Sequence, residues 1–148
     1  MLQQILAELY ERDLNKLKAE IELYPDEADL WLKPGDLPSS AGNLCLHLSG
    51  NLQHFFGAVL GGTGYVRDRE AEFSSTGISR DTMLADIDAT LAVVKTTLAE
   101  LSDADLAAEY PIEVFGKPMT TGWFLTHLCT HLTWHLGQIN YHRRMVSS

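Results

Sequence analysis

Apolar residues at the start of the chain recur at steps of three and four, which is the period of one face of an α-helix. This pattern predicts a first helix from Leu2 to about Leu23, and Pro25 ends it because proline cannot continue a helix. The predicted buried stripe comprises Leu2, Leu6, Tyr10, Leu14, Leu17 and Ile21.

Three further helices are predicted from the same period and from residues that favour helix ends. Their ranges are Ala41–Leu60, a helix after Ser79 with apolar residues from Leu84 to Leu101, and about Gly122 to Met145. The candidate N-caps are Ser39-Ser40, Ser79, and Thr120 or Thr121. Since no convincing sheet pattern accompanies these helices, the chain is expected to be all-α and to fold as one four-helix bundle over residues 1–148.

The connections between the predicted helices are long. Residues 26–38 are expected to hold at most one helical turn, around Leu30–Leu32, and residues 63–78 form a long polar connection. Ser102-Asp103 begins a short turn, and Tyr110–Val114 is expected to be briefly extended. Because long connections do not force consecutive helices to be neighbours, a strict up-and-down order is not assumed.

Composition narrows the classes of function. The formal charge is −9, which disfavours nucleic acid because phosphate binding needs clustered cations. No apolar run reaches the length of a membrane span, and nothing resembles a signal peptide, so a cytoplasmic protein is expected. Cys45 and Cys129 lack the spacing of a disulfide framework and are expected to be packing residues.

Histidines supply the candidate chemistry. His127, His131 and His135 lie four residues apart on the last helix, with Gln138 on the same stripe. On the second helix, His47, Asn51 and His54 occupy positions i, i+4 and i+7. Both helices carry few charges, so buried imidazoles there need hydrogen-bond partners or a metal ion.

We interpret these two stripes as a divalent metal site. An i, i+4 pair of imidazoles can bind one metal, and a third imidazole from the neighbouring helix leaves coordination positions open for water or substrate. Periodicity favours the pair His131/His135 over His127/His131 only slightly. The alternative is that these histidines bind one another and the backbone without any metal.

Other chemistries lack their signatures. The sequence contains neither Glu-x-x-His nor His-Glu-x-x-His, and no Gly-x-Ser-x-Gly elbow. No obvious buried carboxylate is available as a general base. The segment from Arg67 to Phe73 is either a solvated charged loop or a place where Arg67 or Arg69 clamps a substrate carboxylate near the metal.

The motifs resemble those of a known family. His47-Leu48-Ser49-Gly50-Asn51-Leu52 and His131-x-x-x-His135-Leu136-Gly137-Gln138 are similar to motifs of the DinB/YfiT-like superfamily of metal-binding four-helix bundles. The stretch Arg67-x-Arg69-x-x-Glu72-Phe73 resembles an uncharacterised branch of it. The resemblance implies that His47, His131 and His135 are the metal ligands and that His127 lines the pocket; members often form homodimers.

The superfamily includes S-transferases that use bacillithiol or mycothiol, and maleylpyruvate isomerase. Many other members have no known activity, so the resemblance implies the metal site better than the reaction. The first hypothesis is a metal-dependent enzyme, with Zn or Ni the favoured ions, that activates a thiol cosubstrate or water against a small-molecule substrate. Asn51, His54, His127 and Gln138 are expected around the ligands, and His142 is a weaker candidate for orienting substrate. The alternative is a non-catalytic metal-binding or ligand-sensing bundle.

Overall fold

The computed structural model describes residues 1–147 and has four long helical segments with short helices between them. The long helices are α1 (Leu2–Glu22), α2 (Ala41–Leu52, continued by a π-helix over Gln53–Leu60), α4 (Arg80–Glu100) and α6 (Thr121–Val146). The short ones are a 3-10 helix (Glu27–Trp31), α3 (Arg69–Ser74) and α5 (Asp103–Ala107). The all-α bundle predicted from the sequence is confirmed.

Capping side chains lie at the starts of three long helices, at residues that the sequence analysis named as candidate N-caps. The side-chain oxygens of Ser40, Ser79 and Thr120 each accept a hydrogen bond from the backbone N–H three residues later. Ser102 and Asp105 form a reciprocal capping box at the start of α5. Each cap satisfies a backbone donor that has no partner inside its helix.

The apolar stripes meet in one core. From the stripe of α1, Leu6, Tyr10, Leu14, Leu17 and Ile21 are buried, whereas Leu2 is 37% exposed at the helix start. Helix α1 packs against α4 and α6, and α2 packs against the same two helices. Consequently α1 and α2 occupy opposite corners of the bundle although they are consecutive long helices.

Three local predictions differ from the structure. Residues 63–78 contain the helix α3 rather than only a polar connection, and the turn after Ser102 is the helix α5. The extended piece predicted at Tyr110–Val114 was wrong: in the described part of the chain, Glu109 instead makes one isolated antiparallel bridge to Thr120. Two backbone hydrogen bonds flank that bridge and hold the start of α6 against α5.

The second helix widens at its carboxyl end. After Leu52 its hydrogen bonds change to the π pattern, in which successive residues turn through a smaller angle than in an α-helix. The angle between successive side chains therefore changes from Gln53 onward. Within residues 1–147, no helix combines the length and the apolar character needed to cross a membrane.

Candidate metal centre

Three imidazole rings converge between α2 and α6. His47 comes from α2, while His131 and His135 come from successive turns of α6. The Nε2 atom of His131 lies 3.2 Å from Nε2 of His47 and 3.2 Å from Nε2 of His135. Each ring thus directs the same nitrogen toward one point.

These separations fit a shared metal ion. Two imidazole nitrogens bound at about 2.1 Å, with an angle between octahedral and tetrahedral values, lie about 3.0–3.4 Å apart. The observed spacing falls inside that range without any movement of the side chains. The donor set of three nitrogens suits Zn, Ni, Co, Cu or Fe better than Mg or Ca.

Hydrogen bonds to the opposite ring nitrogens orient two of the rings. His135 Nδ1 lies 2.7 Å from Gln138 Oε1, and because an amide carbonyl only accepts, this nitrogen donates and the Nε2 atom of His135 keeps a free lone pair. His47 Nδ1 lies 3.1 Å from Glu72 Oε1, an acceptor, and 3.2 Å from Arg67 Nη2, a donor. Both contacts hold the Nδ1 edge of His47 away from the centre and leave its Nε2 atom facing the other two rings.

His131 is the central ring, and its surroundings favour a cation. Burial, helped by the neighbouring His135 and His47, lowers the pKa of His131 to about 4, so the ring is neutral near pH 7. Its buried Nδ1 has no hydrogen-bond partner among the described residues. When the proton of neutral His131 is on Nδ1, the lone pair of its Nε2 atom faces the Nε2 atoms of His47 and His135. A metal ion at that point would accept these lone pairs and remove their mutual repulsion.

A buried carboxylate, which the sequence did not lead us to expect, orients His47. Glu72 of α3 is 6% exposed and contacts His47 Nδ1, while Nε and Nη2 of Arg67 each donate to it at 2.9 Å. The expectation that no buried carboxylate stands near the site was therefore wrong. Burial works to raise the pKa of Glu72, but the hydrogen bonds from His47 and Arg67 outweigh it, and the net pKa is lowered.

Helix α2 is shaped to receive this carboxylate. The side-chain amide of Asn43 donates to the backbone carbonyls of Glu72 and Ser75, which fixes α3 along α2. One helical turn beyond His47, Gly50 leaves the space that the Glu72 carboxylate fills. The sequence signals for this contact were the glycine and the asparagine on the histidine face of α2.

The two candidate clamp arginines have different surroundings. Arg67 is 12% exposed in its side chain and is paired with Glu72. Arg69 is exposed, and its guanidinium carbon lies 5.2 Å from the centre of the Phe73 ring. Both arginines line the cleft beside His47 and His131, and of the two only Arg67 forms an ion pair among the described residues.

The remaining predicted residues fall into two groups. Asn51 and His127 line a cleft beside His47 and His131, and Gln138 supports His135 as described above. The ring of His127 stacks on Trp123 with the planes 4° apart. His54 lies in the π-helix, packs against Phe55, and does not join the three-histidine group.

The remaining residues considered in the sequence analysis, one histidine and two cysteines, are buried. His142, a weaker candidate for orienting substrate, is buried with its ring nitrogens 2.7 Å from the Tyr24 hydroxyl and 2.8 Å from the Leu32 carbonyl, and its ring forms part of a pocket wall; its contact with substrate stays a prediction. Cys45 and Cys129 are both buried, and burial raises the pKa of each thiol, that of Cys45 to about 12. Both cysteines are packing residues, as predicted.

Comparison with known proteins identifies the family of this chain. The model of the DinB superfamily matches residues 8–139, and the chain belongs to that superfamily. A crystal structure of a conserved protein from Enterococcus faecalis superposes with a TM-score of 0.75 at 17% identity, covering 97% of this chain and 95% of that one. At that identity the likeness concerns the fold alone. No curated protein matches the chain.

Proposed function

We propose that this protein is a metal-dependent enzyme that activates a small thiol at the three-histidine centre for transfer to an electrophilic small molecule. The observation that carries the proposal is the convergence of three Nε2 atoms, with His47 held by a buried carboxylate. Three protein ligands leave coordination positions open for a reactant, which is typical of catalytic rather than structural sites. A bound Zn or Ni ion would supply Lewis acidity that lowers the pKa of a thiol or water.

The choice of a thiol over water rests on the carboxylate. Hydrolysis is helped by a general base that can take a proton from water. Glu72 already accepts from His47 and from two nitrogens of Arg67, and its lowered pKa makes it a weak base. A thiol ionises far more readily than water and needs no such base.

The chain's own residues have distinct tasks in this proposal. Glu72 holds the orientation of His47, and Gln138 holds the tautomer and orientation of His135. Phe73 covers His47, with the two ring centres 4.8 Å apart, and excludes water from that side of the centre. Arg69 draws an anionic reactant toward the cleft through its unpaired charge.

A non-catalytic metal-binding or ligand-sensing bundle is the second candidate. It is favoured by the same observation that argues against hydrolysis. The Glu72 carboxylate beside the centre is hydrogen-bonded to His47 and paired with Arg67, so it is not free to act as a general base. In such a protein, ligand binding near Arg69 would change the packing of α3 on α2 without turnover.

We also propose a homodimer acting in the cytoplasm on a small molecule, without nucleic acid or membrane partners. Helix α6 carries Trp134 with 69% of its surface exposed, and exposed aromatic residues are enriched at interfaces between proteins. The formal charge of −9 continues to argue against nucleic acid. Sedimentation of the wild type and of Trp134→Glu would test the dimer, which the substitution should dissociate.

Turnover separates the two candidate functions. Protein loaded with zinc or nickel is mixed with L-cysteine and 1-chloro-2,4-dinitrobenzene, in which the sulfur forms a bond to the ring carbon, chloride leaves, and the thiol proton passes to solvent. We expect a metal-dependent rate above the uncatalysed reaction that is lost in His131→Ala. Metal binding without any such rate, for this and for epoxide electrophiles, would support the sensing bundle instead.

A further inference from the structure

Two separate pockets border the three-histidine centre. The first, about 310 Å³, includes His135 and Gln138 in its wall. The second, about 240 Å³, includes His47 and His131. The two linings share no residue, so each pocket reaches the centre through different histidine rings.

The pocket beside His135 has an apolar wall. Besides Ser39, Tyr141 and His142, its lining consists of Leu37, Pro38, Leu44, Phe73 and Met145. It contains no Asp, Glu, Lys or Arg. This apolar pocket therefore suits a neutral, hydrophobic molecule, since a charged one would lose its hydration without gaining a partner.

The pocket beside His47 and His131 has a different chemistry. Aromatic rings form much of its wall, and Arg67 and Arg69 stand at its edge; the aromatic members are Phe55, Phe115, Phe124 and His127. Among the residues the structure describes, Arg69 has no ion-pair partner, whereas Arg67 is neutralised by Glu72. This cationic pocket thus combines the uncompensated positive charge of Arg69 with aromatic rings that suit a planar group.

A buried acceptor in this cationic pocket lacks a partner. Asn51 is 6% exposed, and its Oδ1 atom receives no hydrogen bond within residues 1–147. An unsatisfied buried carbonyl costs about 1–3 kcal/mol. The Oδ1 atom is closed off from the surface, so a ligand with an N–H or O–H donor would satisfy it after a small rotation of the Asn51 side chain, which lines the pocket.

Phe73 divides the two pockets. Its ring lines the apolar pocket, lies 4.8 Å from the His47 ring, and receives the Arg69 guanidinium at 5.2 Å. Both flanks of Phe73 are thereby occupied by residues of the centre and of the cationic pocket. The partition allows two different ligands to be bound at once.

We infer that the centre takes two reactants from two pockets: a small carboxylate carrying an N–H or O–H donor in the cationic pocket, with Arg69 as its anion-binding residue, and a neutral hydrophobic molecule in the apolar pocket. This inference rests on the proposed function in assigning the first molecule as the thiol and the second as its electrophile. At the histidine centre the sulfur would form a bond to the electrophilic carbon, the bond from that carbon to its leaving group would break with the electron pair going to the leaving group, and the thiol proton would pass to solvent.

Binding of two small fluorinated probes tests the inference without turnover. The probe for the cationic pocket is 4-fluoromandelate, which has a carboxylate, a hydroxyl donor and a planar ring; the probe for the apolar pocket is 4-fluorotoluene. Fluorine relaxation is titrated for each probe, alone and with the other present, on zinc-loaded and on EDTA-treated protein. The metal-free arm distinguishes binding to Arg69 from chelation of zinc by the hydroxy acid.

We expect Arg69→Gln to weaken 4-fluoromandelate by about tenfold in both arms and to leave 4-fluorotoluene unchanged. Lys16→Gln, which removes the same charge from an exposed site on α1, should change neither. Met145→Glu, at a residue 52% exposed, should weaken 4-fluorotoluene alone.

Displacement of one probe by the other, or equal effects of Arg69→Gln and Lys16→Gln, would overturn the two-pocket inference. Metal content is measured on the same samples. If the protein took up no zinc, the proposed function would be wrong. The two-pocket inference would then depend only on probe binding to the EDTA-treated protein.

Discussion

The carboxylate of Glu72 occupies the volume that a Cβ atom on Gly50 would fill. A side chain built at position 50 would overlap Oε2 and the carboxyl carbon of Glu72, far inside van der Waals contact. Gly50 lies three residues beyond His47, on the turn of α2 that faces α3. The glycine therefore determines how closely the carboxylate approaches the imidazole of His47.

Gly50→Ala should displace Glu72 and weaken metal binding. We expect the Kd for zinc to rise by about tenfold or more, because loss of an outer carboxylate typically costs that much. The free energy of unfolding should fall by about 1–3 kcal/mol, the usual range for overpacking. Competition with a chromophoric chelator and urea unfolding would measure the two quantities.

Gly137→Ala is the matched control for that experiment. A Cβ atom at this helical position meets nothing within 4 Å, so zinc affinity should be unchanged and stability should rise by up to about 1 kcal/mol. Equal zinc affinities of Gly50→Ala and Gly137→Ala would contradict the role assigned to Gly50.

Glu72→Gln tests the charge of the carboxylate apart from its shape. The amide can still accept from His47 Nδ1, but it neither strengthens the imidazole as a ligand nor neutralises Arg67. We expect zinc affinity to fall by about 10- to 100-fold. Glu70→Gln, at an exposed residue of the same helix, should have no such effect, and a similar loss in both variants would point to bulk charge instead.

The histidine ligands can be tested by metal content. Wild-type protein purified without a tag should contain about one equivalent of zinc or nickel by plasma mass spectrometry, and His47→Ala and His131→Ala should contain almost none. His54→Ala is the control, because His54 packs against Phe55 outside the three-histidine group. Wild-type protein that takes up neither ion on titration would defeat the metal assignment.

Acid should destabilise the metal-free protein through the histidine centre. The pKa of His131 is about 4 in the folded chain and that of His135 is also lowered, against an ordinary value of 6.5. Between these values the unfolded chain binds more protons, so this contribution is fully present above pH 6.5 and is lost as the pH falls toward 4. Urea unfolding of EDTA-treated protein across this interval measures the slope.

His131→Asn should make that slope shallower because it removes the titrating ring from the folded centre. A profile identical to that of the wild type would show that the acid sensitivity has another origin. His135 contributes in the same direction, so the variant is expected to reduce the pH dependence without abolishing it.

Both cysteine thiols should be silent in the native protein. Cys45 and Cys129 are buried, and burial raises the pKa of each. We expect no reaction with a disulfide reagent until urea is added, after which both react. Thr130→Cys places a thiol on an exposed residue of α6 and should react at once; rapid reaction of the wild type would contradict the burial of its cysteines.

The long helices were predictable because their information is local. Apolar spacing located the core stripe of α1, and hydroxyl side chains located the starts of α2, α4 and α6. The same periodicity brought His131 and His135 onto one face. What it could not supply was the pairing of Glu72 with His47, a contact across 25 positions made by a short polar helix with no apolar stripe of its own.

His54 shows what periodicity alone cannot decide. It was expected around the ligands because it lies seven residues beyond His47 on the same helical stripe. At a rise of about 1.5 Å per residue, seven residues separate the two positions by about 10 Å along the helix axis, and His54 is not in the three-histidine group. Burial lowers the pKa of His54, and Arg67 and Glu72 also act on it, so it lies near the charged pair beside the centre.

The carboxylate that orients His47 comes from α3, outside the four-helix framework, and α3 is fastened to it by Asn43. The strength of the histidine ligand and the charge at the cleft can therefore be altered by changes in one short peripheral segment. Substitutions in α3 would alter the chemistry of the site while the hydrophobic core of the four long helices continues to stabilise the fold. Loops on a barrel diversify enzymes in the same way.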